Sequence, residues 1–271
     1  LLGSAGMTGC AVADAMGLRR PGASFKGVAL RDINLQSATL EFQIEITNPY
    51  SVPLPLANVD YSLASGGSPF LSGKADIQDE IPAGSAKVVL LPVKIVYMDV
   101  IHAIKNIRPG AVLPYEAELG LSVRTPAVGE LRVPLHKSGE IPVPAPPDIQ
   151  VTEIAWRKLD LNQAEGVIRL SATNRNRFPV SLSRFEYALS LADIPVAQSV
   201  LSRGVDFPAD GGTGEIEIPI SFSPTRLGLG LLKTLMGSGS GYRLQGEWDV
   251  NTSYGTIRMP IDKAGKTSFR R

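Results

Sequence analysis

Displaced by 126 residues, the sequence overlays itself. Thr47-Asn48 falls on Thr173-Asn174, Pro53 on Pro179 and Leu56 on Leu182. Val59, Tyr61 and Leu63 fall on Phe185, Tyr187 and Leu189, and Pro82-Ala83 falls on Pro208-Ala209. Pro134, Lys137 and Gly139 carry the correspondence to Pro260, Lys263 and Gly265, while small insertions move Lys105 onto Lys233 and Tyr115 onto Tyr242. So many in-phase matches mark a tandem duplication, which must be recognised before any local pattern because it decides what one unit is. A chain of 271 residues is long enough for two domains with a core each. Between the copies lies "EIPVPAPPD", Glu140–Asp148, whose four prolines favour an extended, semi-rigid connector. The expected organisation is therefore a leader and tether over 1–24, a first domain over 25–140, a linker over 141–148 and a second domain over 149–271.

Inside each copy the hydrophobic period is two. Leu40, Phe42, Ile44 and Ile46 alternate with Glu41, Gln43 and Glu45, and Ile168, Leu170 and Ala172 alternate with Arg169, Ser171 and Thr173. Such strands bury one face and wet the other, as antiparallel sheets do. Further runs at Val59–Leu63, Ala86–Val93, Tyr115–Val123 and Glu130–Leu135 have partners at Phe185–Leu191, Gly214–Phe222, Tyr242–Val250 and Gly255–Ile261. Turn residues such as Ser65-Gly66-Gly67 and Asp210-Gly211-Gly212 separate them. The predicted fold class is all-β, two tandem immunoglobulin- or fibronectin-III-like β-sandwiches. Each carries one short helix: "YMDVIHAIKNIRPG", with Val100, Ile101, Ile104 and Ile107 on one face, and Thr225–Met236 after Ser223-Pro224.

The stretch "ITNPYSVPLPL", Ile46–Leu56, then breaks its strand with three prolines. Asn48 can bond nearby backbone and cap the strand end. Pro49 removes a donor, and Pro53 and Pro55 are expected to keep the next segment out of a central ladder. The second copy keeps Asn174 and Pro179, with Arg175 in place of Pro49 and Ser181 in place of Pro55. This corner motif (Asn48, Pro49, Pro53, Asn174, Pro179) serves architecture, not catalysis.

Asn48-Pro49-Tyr50, Pro53-Leu54-Pro55-Leu56, Val59-Asp60-Tyr61-Ser62-Leu63 and Ile81-Pro82-Ala83-Gly84 together resemble the late embryogenesis abundant type 2 family, whose unit is the WHy domain. The resemblance covers most of the first copy and reaches the second through the repeat. It implies a fibronectin-III-like sandwich, an association with desiccation and other stress, and no catalytic residues. Bacterial members are often secreted or lipoprotein-like.

The opening "LLGSAGMTGCAVADAMG" reads as the tail of a secretory signal, and Met7-Thr8-Gly9-Cys10 resembles a bacterial lipobox. Cys10 is the sole cysteine, so no internal disulfide is available to it. It is the expected lipidation site, with Ala11–Ser24 as tether and the membrane surface as partner through acyl chains. The position after Cys10 is not Asp, and by the pattern of enteric lipoproteins the expected location is the outer membrane, facing the periplasm.

The remaining chemistry is sparse. A net charge of +1 speaks against a dedicated nucleic-acid partner. His102 and His136 lack a nucleophile or ligand motif around them, so neither an enzyme nor a cofactor or metal site is expected. Lys233-Thr234 follows Leu232 where a phosphate loop needs glycine, and Gly237–Gly241 follows a helix instead of opening one. Arg175, Arg177 and Arg184 form a candidate contact for an anion such as a lipid phosphate, with solvated loop charge as the plain reading. The expected function is that of a non-enzymatic envelope protein of stress tolerance that binds or shields an envelope protein or lipid. The alternative is a periplasmic module that binds or transfers lipid or apolar ligand, held between a sandwich and its covering helix at Leu227–Met236.

Overall fold

Two-residue alternation builds most of the chain. The computed structural model describes residues 20–126, 129–202, 204–227, 235–237 and 239–270. The first copy contributes β1 (Gly22–Arg31), β2 (Ser37–Thr47), β3 (Leu54–Ser65), β4 (Ser68–Asp76), β5 (Glu80–Ile81), β6 (Ala86–Val96), helix α1 (Tyr97–Ala103), β7 (Val112–Thr125) and β8 (Gly129–Pro142). The second contributes β9 (Asp148–Leu159), β10 (Ala164–Thr173), β11 (Val180–Leu191), β12 (Ile194–Leu201), β13 (Val205–Phe207), β14 (Thr213–Phe222), the single turn α2 (Pro224–Leu227), β15 (Gly239–Thr252) and β16 (Gly255–Arg270).

The topology is the same twice. In the first copy a three-stranded sheet β1-β2-β6 and a sheet β4-β3-β7-β8, with β5 added to β3, are the two layers. In the second, β9-β10-β14 and β12-β11-β15-β16, with β13 added to β11, repeat that order. There a short parallel pairing of Ser268, Phe269 and Arg270 with Glu153, Ile154 and Ala155 joins the layers into one sheet of eight strands, seven in a single path and β13 beside β11. Irregularities repeat as well: β3 slips against β7 between Leu56 and Asn58, and β11 against β15 between Leu182 and Arg184. β-Bulges sharpen the local twist, so copying them copies the curvature of the sheet.

Each core is made by the inward rows. Phe42, Ile44, Val93, Ile95, Leu63 and Leu119 are buried in the first copy, and Ile168, Ile218, Phe185, Leu189, Trp248 and Met259 in the second. By contacts the chain divides into two compact units, the first Leu1–Arg31, Ala38–Asn106 and Leu113–Ile141, the second Asp32–Ser37, Ile107–Val112 and Pro142–Arg271.

Three local expectations change. α1 ends at Ala103 instead of running toward Pro109, because Ile104 turns extended (φ −108°) and Asn106 takes the left-handed region at φ 70°. Ile104 still buries its side chain and donates its N–H to the carbonyl of Val100 at 2.8 Å. Pro55 lies within β3, where it faces Glu80 of β5, and the next N–H, that of Leu56, donates to Asp79. A proline is tolerated there because β5 is a two-residue partner that asks little of the ladder. The Pro-rich connector is buried at Val143 and Ala145 and hydrogen-bonded: within the second unit, Gly110 donates to Val143 at 2.6 Å and Val143 donates to Ala111 at 2.9 Å. Of the second expected helix, Pro224–Leu227 is helical, and 228–234 lie outside the described residues, as does Cys10.

Candidate binding site

The corner is built by one amide in each copy. Asn48 is buried, and its Nδ2 donates to the carbonyls of Val52 (2.8 Å), Ile81 (3.0 Å) and Pro82 (3.2 Å), while its Oδ1 accepts the N–H of Tyr50 at 2.9 Å. Asn174 donates to Phe178 (2.9 Å), Phe207 (3.4 Å) and Pro208 (3.0 Å) and accepts the N–H of Asn176 at 2.9 Å. Asparagine is the side chain for this place because one end supplies donors to several carbonyls and the other an acceptor. Pro49 and Arg175 follow the two amides, and Pro53 and Pro179 stand just before β3 and β11. The second corner adds Asn176, whose amide exchanges bonds with the backbone of Ala145, donating at 3.1 Å and accepting at 2.8 Å.

Beside the second corner lies a cleft of about 490 Å³. Pro179, Val180, Phe207 and Pro208 give it apolar walls, and Ser181, Asp206, Asn251 and Ser253 give it a polar rim. Behind Phe207 stands Trp248, stacked at a centroid distance of 6.0 Å, which in turn meets the edge of Phe185 at 5.4 Å. The floor is therefore rigid and aromatic, because ring pairs of this kind hold a fixed geometry in a core. Asp206 is the one ionisable residue among its lining residues, so the cleft offers shape and hydrogen bonds but no acid–base pair. The sequence pointed to the Asn and Pro of this corner. It missed Phe207, which follows a stretch without strand alternation, and Trp248, which looks like any inward residue of β15.

Two of the three arginines already have carboxylate neighbours. Arg175 pairs with Asp148 at 3.5 Å, and Arg184 pairs with Glu186 at 2.8 Å and approaches Asp249 at 3.9 Å. Arg177 is exposed and spends its backbone N–H on the carbonyl of Gly110 at 2.8 Å. His102 is exposed on α1, and His136 on β8 lies 4.0 Å from Glu118 of β7. Elsewhere exposed carboxylates pair with arginines. Arg132 holds the Asp60 carboxyl below its ordinary range by hydrogen bonding, and Arg243 does the same for Asp262.

The family model described as late embryogenesis abundant protein matches residues 43–139 and again 169–265, one match per copy. The late embryogenesis abundant protein Lea14-A of Gossypium hirsutum is 30% identical over 132 residues, covering 49% of this chain and 87% of its own length. The desiccation protectant protein Lea14 homolog of Glycine max is 28% identical, covering 48% of this chain and 86% of its own. The desiccation-related protein PCC27-45 of Craterostigma plantagineum is 32% identical, covering 49% and 87%. Each relative is thus about one copy long. With both copies matched, the chain belongs to the late embryogenesis abundant family and carries its unit twice.

Proposed function

We propose that this chain is a non-enzymatic stress protein of the type 2, WHy-domain kind, held at a bacterial cell envelope by acyl chains on Cys10, where it binds or shields envelope components during desiccation. The observation that carries the reading is the double family match to a unit whose relatives bear the names of desiccation proteins. Cys10 supports the anchor through its lipobox-like setting, and the outer membrane facing the periplasm is the proposed location. Metabolic labelling with an alkynyl fatty acid tests the anchor: the full-length protein takes up label and Cys10→Ser does not. Survival of drying tests the function. A deletion strain that dries and recovers like its parent rejects the stress role, and an unlabelled wild-type protein rejects the anchor.

A second reading, a periplasmic module for lipid or apolar ligand, is favoured by the apolar walls of the cleft at Phe207 and Val180. The ligand gap expected beside Leu227–Met236 falls largely on residues outside those described. Extraction of the purified protein followed by mass spectrometry decides: a co-purifying lipid displaced by Val180→Trp supports it, and the absence of any lipid rejects it.

A further inference from the structure

The copies part company on one face of one strand. With Pro92 of β6 set on Pro219 of β14, the buried rows agree: Val89, Leu91 and Val93 in one, Ile216, Ile218 and Ile220 in the other. The solvent rows do not. β14 shows water Glu215, Glu217, Pro219 and Ser221, with Glu217 paired to Arg169 at 3.1 Å. β6 shows it Val88, Leu90, Pro92, Lys94 and Val96, and Met98 follows in the first turn of α1. Val88, Leu90, Val96 and Met98 are 46%, 54%, 39% and 56% exposed. Half of the large apolar side chains that stand exposed among the described residues lie in this one run. A water-facing strand has no use for such a row, and concentrated exposed apolar surface marks an interaction site.

What covers it follows from area and charge. The exposed apolar surface is on the order of a few hundred Å². A stable protein interface takes roughly 800 Å² from each partner. β6 is also the edge of its sheet, yet Pro92 and Lys94 within it obstruct strand-to-strand pairing with a second copy. Between Val88 and Asn106 the charges are Lys94 and Lys105 against one acid, Asp99, and on the wet face of the neighbouring β2 Glu41 and Glu45 are paired with Arg31 and Lys26 of β1. A narrow apolar ridge with cations beside it suits a bilayer, whose acyl boundary accepts side chains one by one and whose phosphates attract the ammonium groups.

We propose that the outer row of β6, with Met98, is a docking surface for an anionic lipid bilayer. Val88, Leu90, Val96 and Met98 enter the headgroup–acyl boundary, and Lys94 and Lys105 meet phosphates. The acidic row of β14 is repelled by the same surface, so docking belongs to the first copy. This deepens the envelope reading, on which it rests, but needs no acyl chain.

The full chain carrying Cys10→Ser, which cannot be acylated, tests it with vesicles of phosphatidylethanolamine and phosphatidylglycerol. It binds them, binds phosphatidylcholine vesicles less, and releases as salt rises. Val88→Glu with Leu90→Glu, which gives β6 the acids of β14, lowers the partition coefficient about tenfold or more, since tenfold needs the loss of little more than one apolar contact. Val88→Ser with Leu90→Ser serves should the acidic pair fail to fold by circular dichroism. Leu90→Trp adds an indole whose emission shifts blue on vesicles and is quenched by brominated lipid. Unchanged binding of the folded variants, or no binding by the Cys10→Ser chain, overturns the proposal. So does a dimer in solution that the acidic pair dissociates while vesicles are ignored, because a second copy is then the occupant. Labelled Cys10 with no vesicle binding sinks this surface alone, whereas vesicle binding with unlabelled Cys10 sinks the anchor alone.

Discussion

Asn48 and Asn174 make the same three donations 126 residues apart, each to a carbonyl four residues on and to two consecutive carbonyls in the strand-and-turn that follows. Both side chains are 1% exposed. Removing such an amide strands several buried carbonyls, and each unsatisfied group costs about 1–3 kcal/mol. Asn174→Ala is therefore expected to lower stability by about 3 kcal/mol in urea denaturation followed by tryptophan fluorescence, and Asn48→Ala by a similar amount followed by circular dichroism. Asparagine to aspartate is expected to be worse at both sites, because a carboxylate would face three carbonyl oxygens. A loss under about 1 kcal/mol at either position would show that the amide is a bystander.

The corner was legible because its instructions are local: asparagine after an alternating strand, then proline. Its long reach was not, since the carbonyls of Ile81 and Phe207 lie 33 residues from the amides that bind them, and only folding brings them near. The strands with clean alternation, such as Leu40–Ile46 and Ile168–Ala172, lie where the pattern puts them. β1, β4 and β12 are not legible because few of their side chains reach the core, and β9 because a one-residue slip at Thr152 splits its inward row of Ile149, Val151, Ile154 and Trp156. α1 was read too long because hydrophobic spacing carries on through Ile104 and Ile107, whereas the backbone turns at Asn106. The row on β6 looked like one more apolar run, and burial alone distinguishes Leu90 from Leu91.

A tyrosine lies across a glycine at the same place in both copies, with different consequences. A Cβ at Gly139 would stand 2.8–2.9 Å from the ring of Tyr115, which is 4% exposed and boxed in by the core. A Cβ at Gly265 would stand 3.0–3.1 Å from Tyr242, which is half-buried and whose hydroxyl accepts the N–H of Val151 at 3.4 Å. Gly139→Ala is expected to cost about 1–3 kcal/mol, as overpacking does, and Gly265→Ala less, because the approach there is looser and Tyr242 is less deeply buried than Tyr115. Chemical denaturation of the two variants checks the order, and equal costs would mean that the closeness of approach to the tyrosine does not decide.

Tyr97 opens α1 with its ring buried and its hydroxyl without a hydrogen-bond partner. Burial also pushes its ionisation upward. A buried hydroxyl that bonds nothing gives up its hydration without return. Tyr97→Phe keeps the ring and discards the oxygen, so stability is expected to hold or to rise by up to about 1 kcal/mol. A melting temperature that falls would place an acceptor for the hydroxyl in the folded protein.

Asp60 of β3 and Arg132 of β8 form a forked pair, with Arg132 Nε donating to Asp60 Oδ1 at 3.2 Å and the guanidinium lying over Gly120. The hydrogen bond from Arg132 holds the Asp60 carboxyl below its ordinary 3.8, outweighing a small opposing effect of burial. A carboxyl depressed on folding contributes stability that is complete above its unfolded value and disappears as pH falls through the folded one. The contribution is therefore full at neutral pH and fades progressively as pH falls below about 4, through the depressed folded value. Because both side chains are more than one-third exposed, solvent screens the pair and its worth is about 0.5 kcal/mol. Asp60→Asn is expected to lower stability by about 0.5 kcal/mol at pH 7, with the difference shrinking as pH falls below about 4 and shrinking in salt. Urea midpoints measured from pH 7 downward give the test: a difference that does not shrink as pH falls means that Asp60 acts through packing and not through its charge.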